Sequence, residues 1–431
     1  MSFPVKLGQR IRFGFAPLLV LLCCLLTLTG CSPTPPASSV IHLTLWQGVN
    51  PPPNRDVLQV LVDRFNQSHP DIQVESLYVG QADQQMPKIL AAVVGNAAPD
   101  LLWFSPMITG QLVELQALRP LEDWLDQTPI KAEIDPTLFE SMALEGHLWS
   151  VPFGTNNVGL FYRPSLFQAA GITHLPQTWD ELRQVAKQLT IPAKGQHGML
   201  LPLGKGEWTV FTWLPFLWSG GGELEVSPQG QWRVNNAGAI AALTLWQDLV
   251  RDGSAILSQP ERGYELDGFL AGKVAMQLTG PWTLGQLAAT GVDFAVMPIP
   301  AQQRRATSIG GENLFLFKST PEREAAALVF AEYVLSEAFQ TEWATKTGYL
   351  PVNLRSRQSA AYRQFIAQQP SVAVFLEQAK HGRSRPIAPG YNRISENLGR
   401  AIEATLLGKR TPTEAITEAQ NRLDLLFGTR R

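Results

Sequence analysis

The sequence has three cysteines among 431 residues, and Cys23, Cys24 and Cys31 all fall within its first 31 positions. Beyond residue 31 there is therefore no disulfide, no thiolate metal site and no cysteine nucleophile. Histidine is also sparse. His42, His69, His147, His174, His197 and His381 stand without the spacing of metal ligands. No HExxH, GxSxG, DxDxDG or GxxxxGK[ST] run occurs, so the usual zinc-protease, nucleophile-elbow, calcium-loop and P-loop signatures are missing. No metal and no cofactor is expected. A basic excess is missing too: the formal net charge is −2, which gives a nucleic-acid backbone no positive face. No short internal repeat or heptad array is present, which excludes a solenoid or coiled coil.

There is a single long apolar run, Phe13 to Leu28, preceded by Lys6, Arg10 and Arg12. As a helix it spans roughly 24 Å, short of the roughly 30 Å hydrocarbon core. A removable leader fits this better than a permanent span. The run ends in Leu28-Thr29-Gly30-Cys31, which resembles a bacterial lipobox, where the cysteine is lipidated and becomes the new N-terminus. The alternative is an ordinary secretory leader that happens to carry a cysteine. Ser32 to Ser39 is Pro/Ser-rich and reads as a tether. Loss of residues 1–30 takes the formal charge from −2 to −5. The remaining roughly 400 residues are too many for one core.

Element signals follow in order. Ile41–Gly48 is β-rich. Asn54, an N-cap type, opens a run in which Val57, Leu58, Leu61, Val62 and Phe65 recur at helical spacing. Residues 72–79 read as a strand, 86–95 as a helix and 99–104 as a strand. This β-α-β-α-β alternation predicts a parallel sheet flanked by helices. Ligands bind outside the carboxyl ends of such strands, where Trp46, Gln47, Asp83 and Ser105 lie. Further on, 158–162, 273–278, 293–300 and 312–317 read as strands. Residues 178–189, 237–253 and 321–335 read as helices, the first with a Thr178/Glu181 capping box. The stretch from 351 reads as largely helical.

Twelve tryptophans are present. Trp46, Trp208, Trp218 and Trp282 sit beside Gly or Pro in expected loops, whereas Trp103, Trp179, Trp246 and Trp343 read as core. A sugar ring has apolar C–H faces and a rim of hydroxyls. Its site needs flat apolar platforms, which Trp supplies, and Asn, Gln or Asp around them. Trp282, in "QLTGPWTLG" (277–285), is the first choice for such a platform, with inter-lobe packing as the bland alternative.

The segments "LTLWQG", "FNQSHPDIQVE", "APDLLW", "VPFGTNNVGLFY", "TWDEL", "LPFLWSGGG", "FLAGKVAMQLTGPW", "VMPIPA", "IGGENLFLF" and "TKTGYLPV" occur in that order. Together they resemble family 1 extracellular solute-binding proteins, the capture subunits of ABC importers. Maltose-binding and glycerol-3-phosphate-binding proteins belong to that group. The resemblance runs over residues 41–428. It implies an α/β, two-lobed periplasmic-binding-protein fold of type II, with hinge strands joining the lobes and the ligand in the cleft between. It implies 1–30 as leader, 31–40 as tether, 41–155 and 294–347 as one lobe, and 156–293 and 348–431 as the other.

It also implies ligand contacts at Trp46, Gln47, Ser105, Asn156, Trp208, Trp218, Trp282, Gly311, Glu312, Tyr349 and Arg393, to which the strand-end position adds Asp83. The implied partners are a small-molecule carbohydrate and the transmembrane subunits of a permease, with membrane attachment through the lipid. The implied protein is a monomer on the extracytoplasmic side. The arginine motif of the glycerol-3-phosphate relatives appears here as "RPIAPGYNR", which weighs against phosphate binding. A surface-anchored glycosidase would need a carboxylate pair across the cleft, for which Glu312 and Asp83 are available.

Overall fold

The computed structural model describes residues 40–204, 206–227, 231–259 and 266–428, with backbone alone for 82–84. The expected leader, Cys31 and all of the tether but Val40 lie outside the described residues. Among the described residues, eleven strands build two main sheets. They are β1 (Ile41–Gln47), β2 (Ile72–Tyr78), β3 (Leu101–Phe104), β4 (Val151–Asn157), β5 (Gly159–Tyr162), β6 (His197–Leu201), β7 (Ala255–Leu257), β8 (Val274–Thr279), β9 (Ala295–Met297), β10 (Thr307–Leu316) and β11 (Gly382–Ser384).

Alternation shapes β1. Leu43, Leu45 and Gln47 are buried while the residues between them are less so, as a period of two requires. Helix α1 (Pro52–Ser68) turns Leu58, Leu61, Val62 and Phe65 inward. It starts two residues before the expected cap at Asn54, because proline suits the first helical turn. Helix α2 (Ala82–Val94) returns the chain to β3. β1 pairs in parallel with β2, from Ile41↔Ile72 to Gln47↔Tyr78, and with β3 at Leu45↔Leu101. The expected β-α-β-α-β unit is present. The first sheet has the order β11-β10-β3-β1-β2, with β4 also paired to β10.

The second sheet has the order β7-β6-β8-β5-β9. Helix α3 (Trp179–Gln188) precedes β6. Its capping box is complete: Thr178 Oγ1 accepts from the Glu181 N–H at 3.2 Å, and the Glu181 carboxylate accepts from the Thr178 N–H at 3.2 Å. Helix α4 (Glu207–Ser219) was expected as loop. It is buried all round, with α5 (Ala237–Arg251) beside it, and Trp213, Phe216 and Trp246 lie in the second core. Helices α6 (Pro321–Leu335) and α7 (Glu337–Thr347) close the first core, where Phe330, Phe339 and Trp343 meet Leu43, Leu45 and Phe153. Helices α8 (Tyr391–Leu406) and α9 (Pro412–Phe427) pack on the second core.

The chain passes from the first sheet to the second at Val158, between β4 and β5. It returns between β9 and β10. These passages differ from the expected divisions. Asn156 and Asn157 still pair with β10 in the first sheet. β9 was expected in the first lobe but pairs with β5 in the second sheet, where Val296 and Phe294 pack beside Phe161. β11, within the segment expected in the second lobe, pairs with β10 in the first sheet. A strand joins whichever open edge it reaches, and helical composition on either side does not reveal which edge that is. No helix among the described residues is long and apolar enough to cross a membrane.

Candidate ligand-binding site

The strand ends of the first sheet and the start of α4 enclose a cavity of about 160 Å³. Position along the strands decides who lines it. Gly48 follows β1, Gln81 follows β2, and Trp103 and Ser105 end β3. Asn156 comes from β4, Gly310, Gly311 and Glu312 from β10, and Trp208 and Phe211 from α4. Glu207 of α4, Asn50, Met107, Trp282, Tyr349 and Arg385 complete the wall.

The Gly-Pro before Trp282 has a steric purpose. Gly280 and Pro281 turn the chain out of β8 into a single 3₁₀ turn, Pro281–Thr283. A Cβ at Gly280 would lie 2.0 Å from the Trp282 ring, so only glycine lets the indole fold over that spot. Trp282 then packs against both cores. Its ring stands 6.0 Å from that of Trp208, at 73°. An edge-to-face pair of this kind is attractive in itself and leaves an aromatic corner on the cavity wall.

Glu312 is placed by two backbone features. The pairing of β10 with β4 shifts register between Glu312 and Asn313, and such a bulge re-aims a side chain. Gly311 has φ +114°, and a Cβ there would lie 2.2 Å from the Gly154 carbonyl oxygen. Gly311→Ala is expected to lower stability by about 2 kcal/mol through left-handed strain and this clash. Denaturant unfolding checks it; an unchanged midpoint and slope would mean the strand pair accommodates the methyl group.

Burial pushes the Glu312 carboxyl up to about 7, while the Arg385 charge and the Tyr349 hydroxyl pull it the other way. Its Oε2 has no hydrogen-bond partner in the protein; neither has Asn156 Oδ1 nor Trp103 Nε1. Buried polar atoms without partners are uncommon in folded proteins. Of fourteen such atoms among the described residues, these three belong to residues that line the cavity.

Arg385 follows β11. Its Nη1 donates to Glu207 Oε1 at 2.7 Å and its Nη2 to Ser105 Oγ at 3.1 Å. The guanidinium lies 4.5 Å from the centre of the Phe211 ring. Glu207 also accepts from the Tyr391 hydroxyl at 3.4 Å and from Ser395 Oγ.

The cavity thus brings together seven residues expected from the sequence: Ser105, Asn156, Trp208, Trp282, Gly311, Glu312 and Tyr349. Four others lie elsewhere. Trp46 packs in a side cluster with Leu102, Phe104 and Phe315. Gln47 folds back, its Oε1 accepting from the Val49 N–H at 2.8 Å. Trp218 is 3% exposed in α4, with Arg383 over its ring at 5.4 Å. Arg393 is exposed on α8. The side chain of Asp83 lies outside the described residues. Arg385, Glu207 and Trp103 were not foreseen in the site. Trp103 sits in a strand buried at all four positions, so its alternation carried no sign of a cavity on one side.

Residues 60–369 match a family model described as bacterial extracellular solute-binding protein. The chain is 22% identical over 412 residues to the sn-glycerol-3-phosphate-binding periplasmic protein UgpB of Salmonella typhimurium, covering 90% of this chain and 92% of that one. A solute-binding protein of an ABC transporter from Thermotoga lettingae, solved with alpha-D-tagatose, superposes with a TM-score of 0.81 at 24% identity, covering 90% of this chain and 100% of that one. UgpB of Mycobacterium tuberculosis, solved with glycerophosphocholine, gives 0.79 at 21% identity, over 89% and 98%. The fold is the type II periplasmic-binding-protein fold, and the chain belongs to the bacterial extracellular solute-binding proteins.

Proposed function

We propose that this protein captures a carbohydrate, an oligosaccharide or a glucosyl-polyol, and hands it to the permease of an ABC importer. The observation that carries this is the aromatic corner of Trp208 and Trp282 beside the partnerless polar atoms of Trp103, Asn156 and Glu312. The corner offers apolar faces to ring C–H groups, and the polar atoms offer one donor and two acceptors to hydroxyls. The cavity of about 160 Å³ is of the size of one sugar ring. Closing of the lobes around the ligand fits a cleft with the first sheet's strand ends on one side and α4 and the turn after β8 on the other. Attachment through Cys31 on the extracytoplasmic side, and action as a monomer, belong to the same proposal.

Arg385 in the cavity and the similarity to UgpB favour a second reading, a glycerol phosphate or glycerophosphodiester. A glycosidase would need a pair of carboxylates across the cleft. Of the two that line the cavity among the described residues, Glu207 is held by Arg385, Tyr391 and Ser395, which leaves Glu312 without a free second carboxylate there.

Calorimetric titration of residues 32–431 with neutral saccharides, glucosyl-polyols and glycerol phosphates decides between these. Micromolar binding of a neutral member, with the sugar recovered unchanged, is the expected result. Binding confined to the phosphates, and weakened by salt, would replace the carbohydrate reading with the second one. Release of cleaved sugar would replace both with the enzyme.

A further inference from the structure

This inference rests on the carbohydrate reading and deepens it to a charge class. Among the described lining residues, three carry formal charge: Glu207, Glu312 and Arg385. Arg385 is committed to Glu207 and Ser105 and stacks on Phe211. Glu207 completes that ion pair from α4. Glu312 is the charge left over. Facing it are the Tyr349 hydroxyl, from the segment after α7, and Arg385, from the segment after β11. The paired strand β4 presents Gly154 and Thr155, which are uncharged.

We propose that Glu312 sets the charge class of the ligand: its carboxylate accepts a hydroxyl of a neutral polyhydroxylic solute and turns away phosphate monoesters and diesters. The chemistry is one of donors and acceptors. Glu312 Oε2 and Asn156 Oδ1 both lack a donor. A sugar hydroxyl donates and accepts, so it satisfies either atom and also the Trp103 N–H. Neither the dianion of a phosphate monoester nor the monoanion of a diester has a phosphate proton to donate. Either would bring like charge against the Glu312 carboxyl, whose burial leaves the repulsion less screened than in bulk water. Among the described lining residues, the one cation that would offset it is already neutralised by Glu207.

The sign of the pH dependence follows. A ligand that donates to the carboxylate binds the ionised form, and Glu312 in the empty site titrates at about 7. At pH 6 most molecules would have to lose that proton on binding, so affinity is expected to be roughly tenfold weaker than at pH 8. A phosphate ligand prefers the protonated form and reverses the sign. In the absence of ligand, a folded-state pKa above the unfolded one adds stability that is lost as pH rises through about 7. Glu312→Gln is therefore expected to unfold no more easily than wild type at pH 8, which makes it a usable variant.

The experiment is calorimetry of wild type and Glu312→Gln at pH 6 and pH 8 with maltose, maltitol and glycerol 3-phosphate. Support would be a neutral sugar binding wild type about tenfold tighter at pH 8, with Glu312→Gln losing that dependence. The variant's preference should also move toward glycerol 3-phosphate by tenfold or more. Neutral binding that ignores pH, or a preference unmoved in Glu312→Gln, overturns the role of Glu312 and leaves the carbohydrate reading standing. Wild type that binds glycerol 3-phosphate and neither sugar, or that binds none of the three, overturns the charge-class assignment in this protein together with the reading beneath it. The wild-type pH comparison stands on its own should the variant fold poorly.

Discussion

Trp282→Ala is expected to weaken binding of a neutral saccharide by about 100-fold while the protein stays folded. Loss of one large aromatic anchor at the centre of a site removes about 2–4 kcal/mol, and each 1.4 kcal/mol is tenfold. Trp282 fits that description because its position is fixed from both sides. It packs against both cores, its carbonyl accepts from Asn54 Nδ2 at 3.4 Å, and Gly280 leaves room for the ring. Removing the ring also opens space between the cores. Full burial would make a Trp→Ala loss about 3–5 kcal/mol; Trp282 is only partly buried, so a smaller loss of stability is expected. Trp282→Phe separates the two effects. It keeps an apolar face and should hold affinity within about tenfold of wild type. Calorimetry checks affinity and denaturant unfolding checks stability. Unaltered affinity in Trp282→Ala would return this residue to plain inter-lobe packing.

What could be read in the sequence follows a physical division. Signals that are local in the chain were legible. Thr178 and Glu181 form their capping box because both halves of it lie within four residues. The parallel unit of β1, β2 and β3 shows because its strands and helices alternate in period. Trp282 showed because a large aromatic after Gly-Pro has an unusual address. Helix α4 did not show, since it is apolar on every side and has no 3.6-residue stripe to detect. Trp208 and Trp218 were consequently placed on loops, and they part company within that helix: one at its start on the cavity, the other near its end in the core. β10 begins five residues before the expected 312 because Gly310 and Gly311 read as loop, and their neighbours Asn156 and Thr155 are distant in the chain. Arg385 lies in "HGRSRP" (381–386), a basic run of the kind that ordinarily forms a solvated loop. Its burial depends on Glu207, 178 residues away, and no local pattern can announce such a partner.

Arg385→Ala is expected to cost about 3–5 kcal/mol of stability, because it leaves Glu207 buried and uncompensated. Both side chains are only 9% exposed. The pair also joins the lobes: Arg385 follows β11 of the first sheet, and Glu207 opens α4 in the second core. Ser105, at the end of β3, is held in the same fork. Glu207→Ala should be destabilising to a similar degree, since it strands the cation instead. The double variant Arg385→Met with Glu207→Leu removes both charges and keeps much of the volume. It is expected to recover most of the loss, as apolar replacements of buried ion pairs do elsewhere. Strict additivity of the two single losses in the double variant would show that the pair is not coupled. The same double variant separates two roles for Arg385. If the pair serves to hold the cleft walls, a stable double variant should bind a neutral saccharide within about tenfold of wild type, the loss reflecting weaker preorganisation. If it is stable and binds nothing, the pair itself touches the ligand, and its charged groups belong beside Trp282 in the recognition of the sugar.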